Sequence, residues 1–375
     1  MDLRGLTLHL SLIKGVGVST CRKLYQALHG DIEHLYAMDA AQIMQRAHIP
    51  QALAQGIVSG LKDRSLLDRE LLLIEKYSIS WYTLFDDQYP ALLKEIHSPP
   101  LILYCKGTLP TMPMLAVVGS RAANQYARNV IESFVPSLVA QGFAIVSGGA
   151  LGADAMAHQA TINAQGKTIV VLGSGLLKPY PAAHKKLFEN VLAHDGALIS
   201  SFSLETTPLP GNFPARNRII AGLSKGCIVV QAAKESGAKI TALFALEQGR
   251  DVFAIPGSIF DPLSAGCHEL IGQGATLVHQ VDDILNAYSL STTPAIIPAF
   301  HIQSEVLKTS AQIAEVKKDE PLAHQIIKLC AQPQSLDYLV ESLNLDLLTA
   351  QTMLFDLQMC GLLEQNVAGL WKQIR

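Results

Sequence analysis

The run LAVVGSR, at residues 115–121, is the first of seven apolar segments that decide the fold. The others are FAIVSGG (143–149), TIVVLGSG (168–175), ALISSF (197–202), CIVVQAA (227–233), DVFAIPG (251–257) and ATLV (275–278). Most of them end in a Gly or Ser turn, after which a helical pattern follows. Continuous Val/Ile/Leu strands that alternate with helices predict one α/β domain with a doubly wound, mostly parallel sheet.

The composition limits the class of protein. The chain has 375 residues, enough for two or three domains, and 49% of them are hydrophobic while 16% are charged. These values exclude a disordered chain. The formal net charge of −3 does not indicate a nucleic-acid binder, so a basic site has to be local. Residues 119–225 carry nine basic and five acidic side chains, and we therefore expect an anionic ligand there.

The sequence contains no sign of a membrane or secreted protein. Its apolar runs stay below about 18 residues, and Met1 to Leu12 lacks the basic start and cleavage site of a signal peptide. The six cysteines are far apart, without a CxxC pair or a Cys/His cluster at zinc spacing. We therefore expect a cytoplasmic protein with free thiols and no metal site.

A small all-α domain is predicted before the sheet, over residues 1–80. Its apolar spacing indicates short helices around a tight Gly15-Val16-Gly17 turn. Such a hairpin can offer backbone amides to a phosphate, and Lys14, Arg22 and Lys23 flank it. A plain helical turn that needs glycine for its backbone conformation accounts for the same residues. Both interpretations stay open.

The chain changes character after the sheet. Residues 289–320 are rich in Ser, Thr, Pro and Lys and predict a linker. Residues 321–375 predict a winged helix, with helices over 321–331, 335–343 and 346–360 and two short strands, LLEQ and LWKQ, around Val367-Ala368-Gly369. The net charge of −2 in this unit favours a protein-interaction or regulatory role over DNA binding. The predicted domains are 1–80, 81–288, the linker 289–320, and 321–375.

Several glycine-containing loops follow the predicted strands, where ligands of doubly wound sheets bind. They are Gly119-Ser120-Arg121, Ser147 to Gly152, Gly173-Ser174-Gly175 with Lys178 and Tyr180 after it, and Ser236 to Lys239. Small residues let backbone amides approach phosphate oxygens. The loops do not fit the GxGxxG fingerprint, and Gly166-Lys167-Thr168 lacks the upstream glycine of a P-loop. A bound dinucleotide or triphosphate is therefore disfavoured.

The segment GNFPARNRIIAG (211–222) is more distinctive, because it combines an aromatic residue and two arginines beside a turn. Arginine binds phosphate bidentately, and an exposed Phe213 could stack on an unpaired base. Alternatively, Phe213 belongs to the core and Arg216 pairs with an acid. The residue types alone leave both interpretations open.

Recognisable catalytic motifs are missing, since the sequence contains no HExxH and no GxSxG nucleophile elbow at the end of a predicted strand. Asp154 and His158 are four residues apart on one predicted helix face, which could orient the histidine. No Ser or Cys is placed as a nucleophile, however, and a lone helical histidine is more often part of a structural hydrogen bond. We therefore expect no catalytic residue.

Five motifs together resemble one family. They are VVGSR (117–121), SGGALGADAMAH (147–158), FPARNRIIAGLS (213–224), SGAKITALFALEQGRDVFAIPG (236–257) and GCHELIGQGA (266–275). Their order and spacing resemble the DNA processing protein A family, called DprA or Smf, over residues 81–285. The segment 81–107 is similar to the family's entry into its Rossmann-like domain. The N-terminal part resembles its sterile-alpha-motif-like domain, and the C-terminal part resembles its winged helix.

The resemblance implies a non-enzymatic protein, without a cofactor, that binds single-stranded DNA entering a naturally transformable bacterium. It also implies a homodimer that shields the strand and helps to load RecA recombinase onto it. By motif, Arg121 would contact phosphate, Gly148 and Gly149 would line the pocket, and Phe213 would continue the groove. The full set of implied DNA-binding residues is Ser120, Arg121, Ser147, Gly148, Gly149, Lys178, Asn212, Phe213, Arg216, Asn217, Arg218 and Lys239. The implied dimer interface contains His268, Leu270, Ile271 and Leu277.

The sequence departs from the family pattern at a few positions. The family often has a basic residue where this chain has Ala182, so Lys178, Lys185 or Lys186 would have to replace it.

An alternative function is that of a nucleotide-binding or nucleoside-monophosphate-cleaving enzyme of the lysine-decarboxylase-like Rossmann group. That group uses a PGGxGTxxE loop, and the corresponding SGGALGADAMAH lacks its glutamate. A regulator that acts through the winged helix is a third hypothesis.

Overall fold

The structure is a computed structural model in which the chain forms two compact units, Met1–Leu290 and Ser291–Arg375. The predicted linker 289–320 lies outside the described residues. The described residues are 2–28, 32–288, 321–334, 336–343, 345, 349–350, 353–354, 357, 362–365 and 370–373. Within them, no helix is long and apolar enough to cross a membrane.

The first unit begins with a helical region, as predicted. Its helices are α1 (Leu3–Leu12), α2 (Val18–Ala27), α3 (Ala40–Ala47), α4 (Gln51–Lys62) and α5 (Ser65–Lys76), with a 3₁₀ turn over Ile32–Ala37. Asp2 caps α1 by accepting from the Gly5 amide at 2.9 Å. Asp39 and Gln42 form a capping box at α3. Apolar side chains from these helices pack together, including the fully buried Leu8.

A nine-stranded mixed sheet forms the centre of the first unit. Its strands are β1 (Ser80–Thr83), β2 (Ile102–Gly107), β3 (Met114–Val118), β4 (Ala144–Ser147), β5 (Thr168–Val171), β6 (Ala197–Ser200), β7 (Gly226–Val229), β8 (Asp251–Ala254) and β9 (Thr276–Leu277). The spatial order is β1-β2-β6-β5-β4-β3-β7-β8-β9. Strands β3 to β9 pair in parallel, whereas β2 pairs antiparallel with both β1 and β6. The prediction of a mostly parallel α/β sheet with seven strands is confirmed, and two antiparallel edge strands are added to it.

Helices cover both faces of this sheet, which explains why its inner strands are mostly apolar. The helices are α6 (Ala91–Glu95), α7 (Gln125–Ala140), α8 (Ala153–Asn163), α9 (Lys185–Ala193), α10 (Asn212–Leu223), α11 (Gly237–Glu247), α12 (Ala265–Gly272) and α13 (Asp282–Tyr288). Side chains of α10 and α11 share one apolar cluster with the sheet. Those of α7 and α8 belong to another, so these helix pairs lie on opposite faces.

The N-terminal helices and the antiparallel edge of the sheet are held together by shared packing and by polar contacts. Leu204, in the loop after β6, donates its amide to the carboxylate of Glu70 in α5 at 2.8 Å. Burial raises the pKa of the Glu70 carboxyl. On the other side, Arg4 of α1 pairs with Asp86 at 3.0 Å and lies over the Trp81 ring. The helical region therefore has a fixed position relative to β1 and β2.

The second unit contains α14 (Pro321–Leu329), α15 (Leu336–Leu343), β10 (Leu363–Gln365) and β11 (Trp371–Gln373). The two strands pair antiparallel, and Ile326, Leu339 and Leu363 are buried together. Most of the predicted helix 346–360 and the predicted turn Val367-Ala368-Gly369 lie outside the described residues. The winged helix therefore stays a prediction.

Candidate functional site

A cleft of about 450 Å³ opens at the carboxyl ends of β3 and β7. Strand β3 lies between β4 and β7 in the sheet. The strands that follow β3 along the chain are added first on its β4 side and then on its β7 side, so the strand order reverses at β3. Ligands of doubly wound sheets bind at such a topological switch point. We call this the switch-point cleft. Its lining includes Ser120, Arg121, Ala150, Phe213, Arg216, Asn217 and the residues Ser236–Ala238.

The Gly-Ser-Arg loop after β3 forms one wall of the switch-point cleft. The Ser120 amide donates to the Gln231 carbonyl at 2.7 Å, and the Ser120 hydroxyl accepts from the Ala122 amide at 3.1 Å. These bonds fix the loop while the Arg121 side chain remains exposed. Among the described residues Arg121 has no carboxylate partner. Its positive charge is therefore available to a ligand.

The glycine-rich turn after β4 packs directly against this loop. Gly152 has a φ of +76°, and a Cβ atom there would meet the backbone carbonyl oxygens of Ser120 and Arg121, the latter at 2.5 Å. Glycine is therefore needed both for the conformation and for the close approach of the two loops. The carboxylate of Asp154 accepts from the Gly148 and Ala150 amides, each at 3.2 Å, and this closes the turn.

Arg216 lies beneath the turn instead of at the rim of the cleft. Its side chain is buried, with 4% exposed, and Nη1 donates to the carbonyl oxygens of Gly148 and Val171. Burial lowers the pKa of Arg216 to about 10 against the opposing effect of Asp154, so the guanidinium stays charged at neutral pH. Burial likewise raises the pKa of Asp154, and Arg216 opposes that shift. The buried cation thus joins the β4 turn, β5 and α10.

An aromatic platform lies next to these groups. The half-buried Phe213 ring contacts Tyr180 edge-on, with ring centroids 5.8 Å apart, and the guanidinium carbon of Arg121 lies 5.8 Å from the Phe213 centroid. Tyr180 is 47% exposed. Aromatic faces and arginine planes stack on nucleic-acid bases irrespective of their sequence. The cleft therefore combines a free cation with ring faces.

The Asp154–His158 pair does not form an acid–base centre. His158 is fully buried, and its Nδ1 lies 2.7 Å from the Thr168 hydroxyl, which itself donates to the Ile145 carbonyl at 2.8 Å. The hydroxyl therefore accepts from Nδ1–H, and Nε2 has no hydrogen-bond partner. Burial lowers the pKa of His158 to about 3, so the ring is neutral.

The structure brings some of the implied DNA-binding residues together and separates others. Ser120, Arg121, Phe213, Arg216 and Asn217 line the switch-point cleft. The buried Ser147 ends β4, Gly148 and Gly149 belong to the glycine-rich turn that follows it, and Asn212 begins α10. Lys178 is exposed on the loop that also carries Tyr180.

Two of the implied DNA-binding residues, Arg218 and Lys239, do not line the switch-point cleft. Arg218 donates to the Ser98 carbonyl, and Lys239 pairs with Glu269. Their roles in binding stay predictions.

The four implied dimer residues differ in their surroundings. Leu270 is 1% exposed within the core of its own unit, and His268 Nε2 lies 3.1 Å from the Gly257 carbonyl oxygen. Ile271 is half-buried, whereas Leu277 is 47% exposed. Among these four, Leu277 offers the most apolar surface to a partner, and Leu270 holds α12 against the sheet.

Two residues of the site were not assigned to it from the sequence. Tyr180 follows the third loop, but its approach to Phe213 depends on how two distant loops meet. Gln231 is buried two residues after the end of β7, where its Oε1 accepts from the Asn124 amide at 3.2 Å and its Nε2 donates to Asp261 at 3.3 Å. The signal for Gln231 was a polar residue within the otherwise apolar run CIVVQAA.

Comparisons with known proteins match the chain to one family. A model of the family described as DNA recombination-mediator protein A matches residues 80–289. The chain is 46% identical over 206 residues to the DNA processing protein DprA of Streptococcus pneumoniae, covering 54% of this chain and 72% of that protein. It is 40% identical over 268 residues to the protein Smf of Escherichia coli, covering 69% and 71%.

Two solved structures of proteins named DNA processing protein A are also similar to this chain. The X-ray structure of DprA from Streptococcus pneumoniae aligns with a TM-score of 0.65 and 35% identity, covering 76% of this chain and 98% of that one. DNA processing protein A from Helicobacter pylori, solved for its single-stranded DNA binding mode, aligns with a TM-score of 0.50 and 28% identity, covering 56% and 96%. With the family model matching more than half of its length, the chain belongs to the DNA recombination-mediator protein A family.

Proposed function

We propose that this protein binds single-stranded DNA in the switch-point cleft and mediates recombination. The observation that carries the proposal is the free Arg121 guanidinium beside the Phe213 ring, at a cleft where two glycine-containing turns meet. The Helicobacter pylori relative, solved for its single-stranded DNA binding mode, supports the same ligand. The excess of basic side chains over residues 119–225 agrees with it.

Each part of the cleft has a role in this proposal. Arg121 pairs with a phosphate, and the positive end of α11, which begins at Gly237, favours negative charge nearby. Phe213 and Tyr180 stack on bases, which is possible when the bases are unpaired. Because neither interaction reads base edges, affinity tolerates most sequences. Duplex DNA, whose bases are already stacked and paired, is a poor competitor.

The protein acts by binding and not by catalysis in this proposal. Asp154 and His158, the titratable pair next to the cleft, are both committed to holding the fold. Substrate turnover would need a free acid or base with access to the ligand. The lysine-decarboxylase-like alternative has no further observation in its favour.

Further roles are carried over from the family. The proposal includes a cytoplasmic homodimer that contacts its partner through α12 and Leu277, protects DNA during natural transformation and helps to load RecA. The exposed Leu277 and the half-buried Ile271 support the dimer surface. The domain boundaries 1–80, 81–288, 289–320 and 321–375, with a winged helix at the end, are part of the same proposal.

Fluorescence anisotropy with a labelled oligo-dT tests the ligand class. For about three phosphate contacts, the logarithm of the association constant should fall with the logarithm of salt concentration with a slope of about −2. An unlabelled duplex of equal length should displace the oligonucleotide far less effectively than unlabelled oligo-dT does. Equal competition by duplex, or no binding at low salt, would contradict the proposal.

A further inference from the structure

A second cleft, of about 420 Å³, lies where the N-terminal helices meet the antiparallel edge of the sheet. We call it the junction cleft. Its walls come from the start of α2, the loop before β2, the loop after β6 and one residue of α10, Arg218. The polar contacts of Glu70 and Arg4 described above fix these walls relative to one another.

The chemistry of the junction cleft suits an anion with an attached ring. The hydroxyls of Ser201, Ser203 and Thr206 and the cation of Arg218 line it, and none of its described lining residues is acidic. Phe202, half-buried in the same loop, adds an aromatic ring. Helix α2 starts at this wall after Gly17 without a side-chain cap, which leaves first-turn amides for a ligand. This composition repeats that of the switch-point cleft, with its arginine, aromatic ring and helix start.

Helix α10 connects the two clefts. Its residues Phe213, Arg216 and Asn217 line the switch-point cleft, and the next residue, Arg218, lines the junction cleft. The two clefts are therefore separated by one helix, whose diameter with side chains is about 10–12 Å. A single strand of several nucleotides spans such a distance, and single-strand sites of about 4–16 nucleotides are common.

We propose that the junction cleft is a second subsite for the same DNA strand, which crosses α10 and places a phosphodiester beside Arg218 and a base beside Phe202. The inference rests on the proposed function and deepens it. It gives the N-terminal helical region a direct part in DNA binding. It also gives the Gly15-Val16-Gly17 turn, which the sequence left between a phosphate site and a plain helical turn, a place at the wall of a subsite.

Two oligonucleotide lengths separate the subsites. An oligo-dT of about 4 nucleotides fills one cleft, and one of about 15 nucleotides reaches both. Arg218→Gln keeps a donor for the Ser98 carbonyl and removes the charge. It should weaken binding of the longer oligonucleotide about tenfold and reduce its salt slope by about 0.7, the value for one contact to a single strand. The effect on the shorter oligonucleotide should be much smaller, because the switch-point cleft still binds it. Ser201→Glu, which introduces a negative charge without removing a described contact, should act in the same direction.

Ser133→Glu is the matched control, because it adds the same charge at an exposed position on α7, on the opposite face of the sheet from α10. It should bind both oligonucleotides like the wild type. If Ser201→Glu and Arg218→Gln, with wild-type thermal melting, bind the longer oligonucleotide like the wild type, the second subsite is wrong and the proposed function stands. If the wild type binds neither length, both proposals fail.

Discussion

Replacement of Arg121 by alanine should weaken binding of single-stranded DNA about tenfold and by a similar factor for every base composition. Arg121 is exposed, it lies over the edge of the aromatic platform, and it has no carboxylate partner among the described residues. Its loss therefore removes one phosphate contact without exposing a buried group. The salt slope should also become shallower by about 0.7 of a unit, the value for one contact to a single strand. Arg121→Glu, which repels the phosphate, should have a larger effect.

Arg128→Ala is the control for this experiment. Arg128 is exposed on α7 and pairs with Glu132 at 3.6 Å, so the substitution changes the net charge by the same amount away from the cleft. Anisotropy titrations of wild type, Arg121→Ala and Arg128→Ala at equal salt would measure the difference. Wild-type affinity in Arg121→Ala, together with an unchanged melting temperature, would contradict the role given to Arg121.

Replacement of Arg216 by methionine should reduce the free energy of unfolding by about 3–5 kcal/mol and abolish DNA binding. The guanidinium is buried and bridges the carbonyl oxygens of Gly148 and Val171, and it lies near the buried Asp154. Methionine fills a similar volume but leaves these acceptors without a donor. Binding is lost because the turn that forms the cleft floor is no longer held, and not because a phosphate contact disappears.

Arg218→Met is the matched control for stability, since Arg218 is the same residue type two positions further along α10 but only half-buried. It loses one hydrogen bond to the Ser98 carbonyl and should cost about 1 kcal/mol. Urea unfolding of both variants and the wild type gives the comparison. If Arg216→Met unfolds at the wild-type urea concentration yet loses affinity, Arg216 contacts DNA directly and the support role is wrong.

The sequence predicted the sheet well because strands buried on both faces are apolar at most positions. It did not indicate β1 and β2, since SWYT carries polar residues, and ILYCKG pairs with a strand almost 100 residues later. Antiparallel pairing over that distance leaves no local pattern. The motifs at the strand ends could be placed together because the carboxyl ends of parallel strands meet at one edge of the sheet.

The roles of the individual cations were harder to predict. Phe213 and Arg216 are three residues apart on α10, and helical spacing alone puts both at the same cleft. Whether the arginine lies at the rim or beneath the floor depends on the Gly148 carbonyl, which comes from a different strand end. Lys239 has the charge of a phosphate ligand, but its ammonium pairs with Glu269, 30 residues later. Such pairs depend on tertiary packing.

Photocrosslinking locates the strand directly. An oligo-dT carrying 5-iododeoxyuridine, irradiated in complex with the protein, forms covalent bonds with aromatic rings that stack on the modified base, and mass spectrometry of the digested complex identifies the peptide. The account predicts crosslinks at Phe213 or Tyr180, with the Phe213 crosslink lost in Phe213→Leu. Crosslinks confined to the outer face of α7 or to residues 321–375, with none at the switch-point cleft, would contradict it.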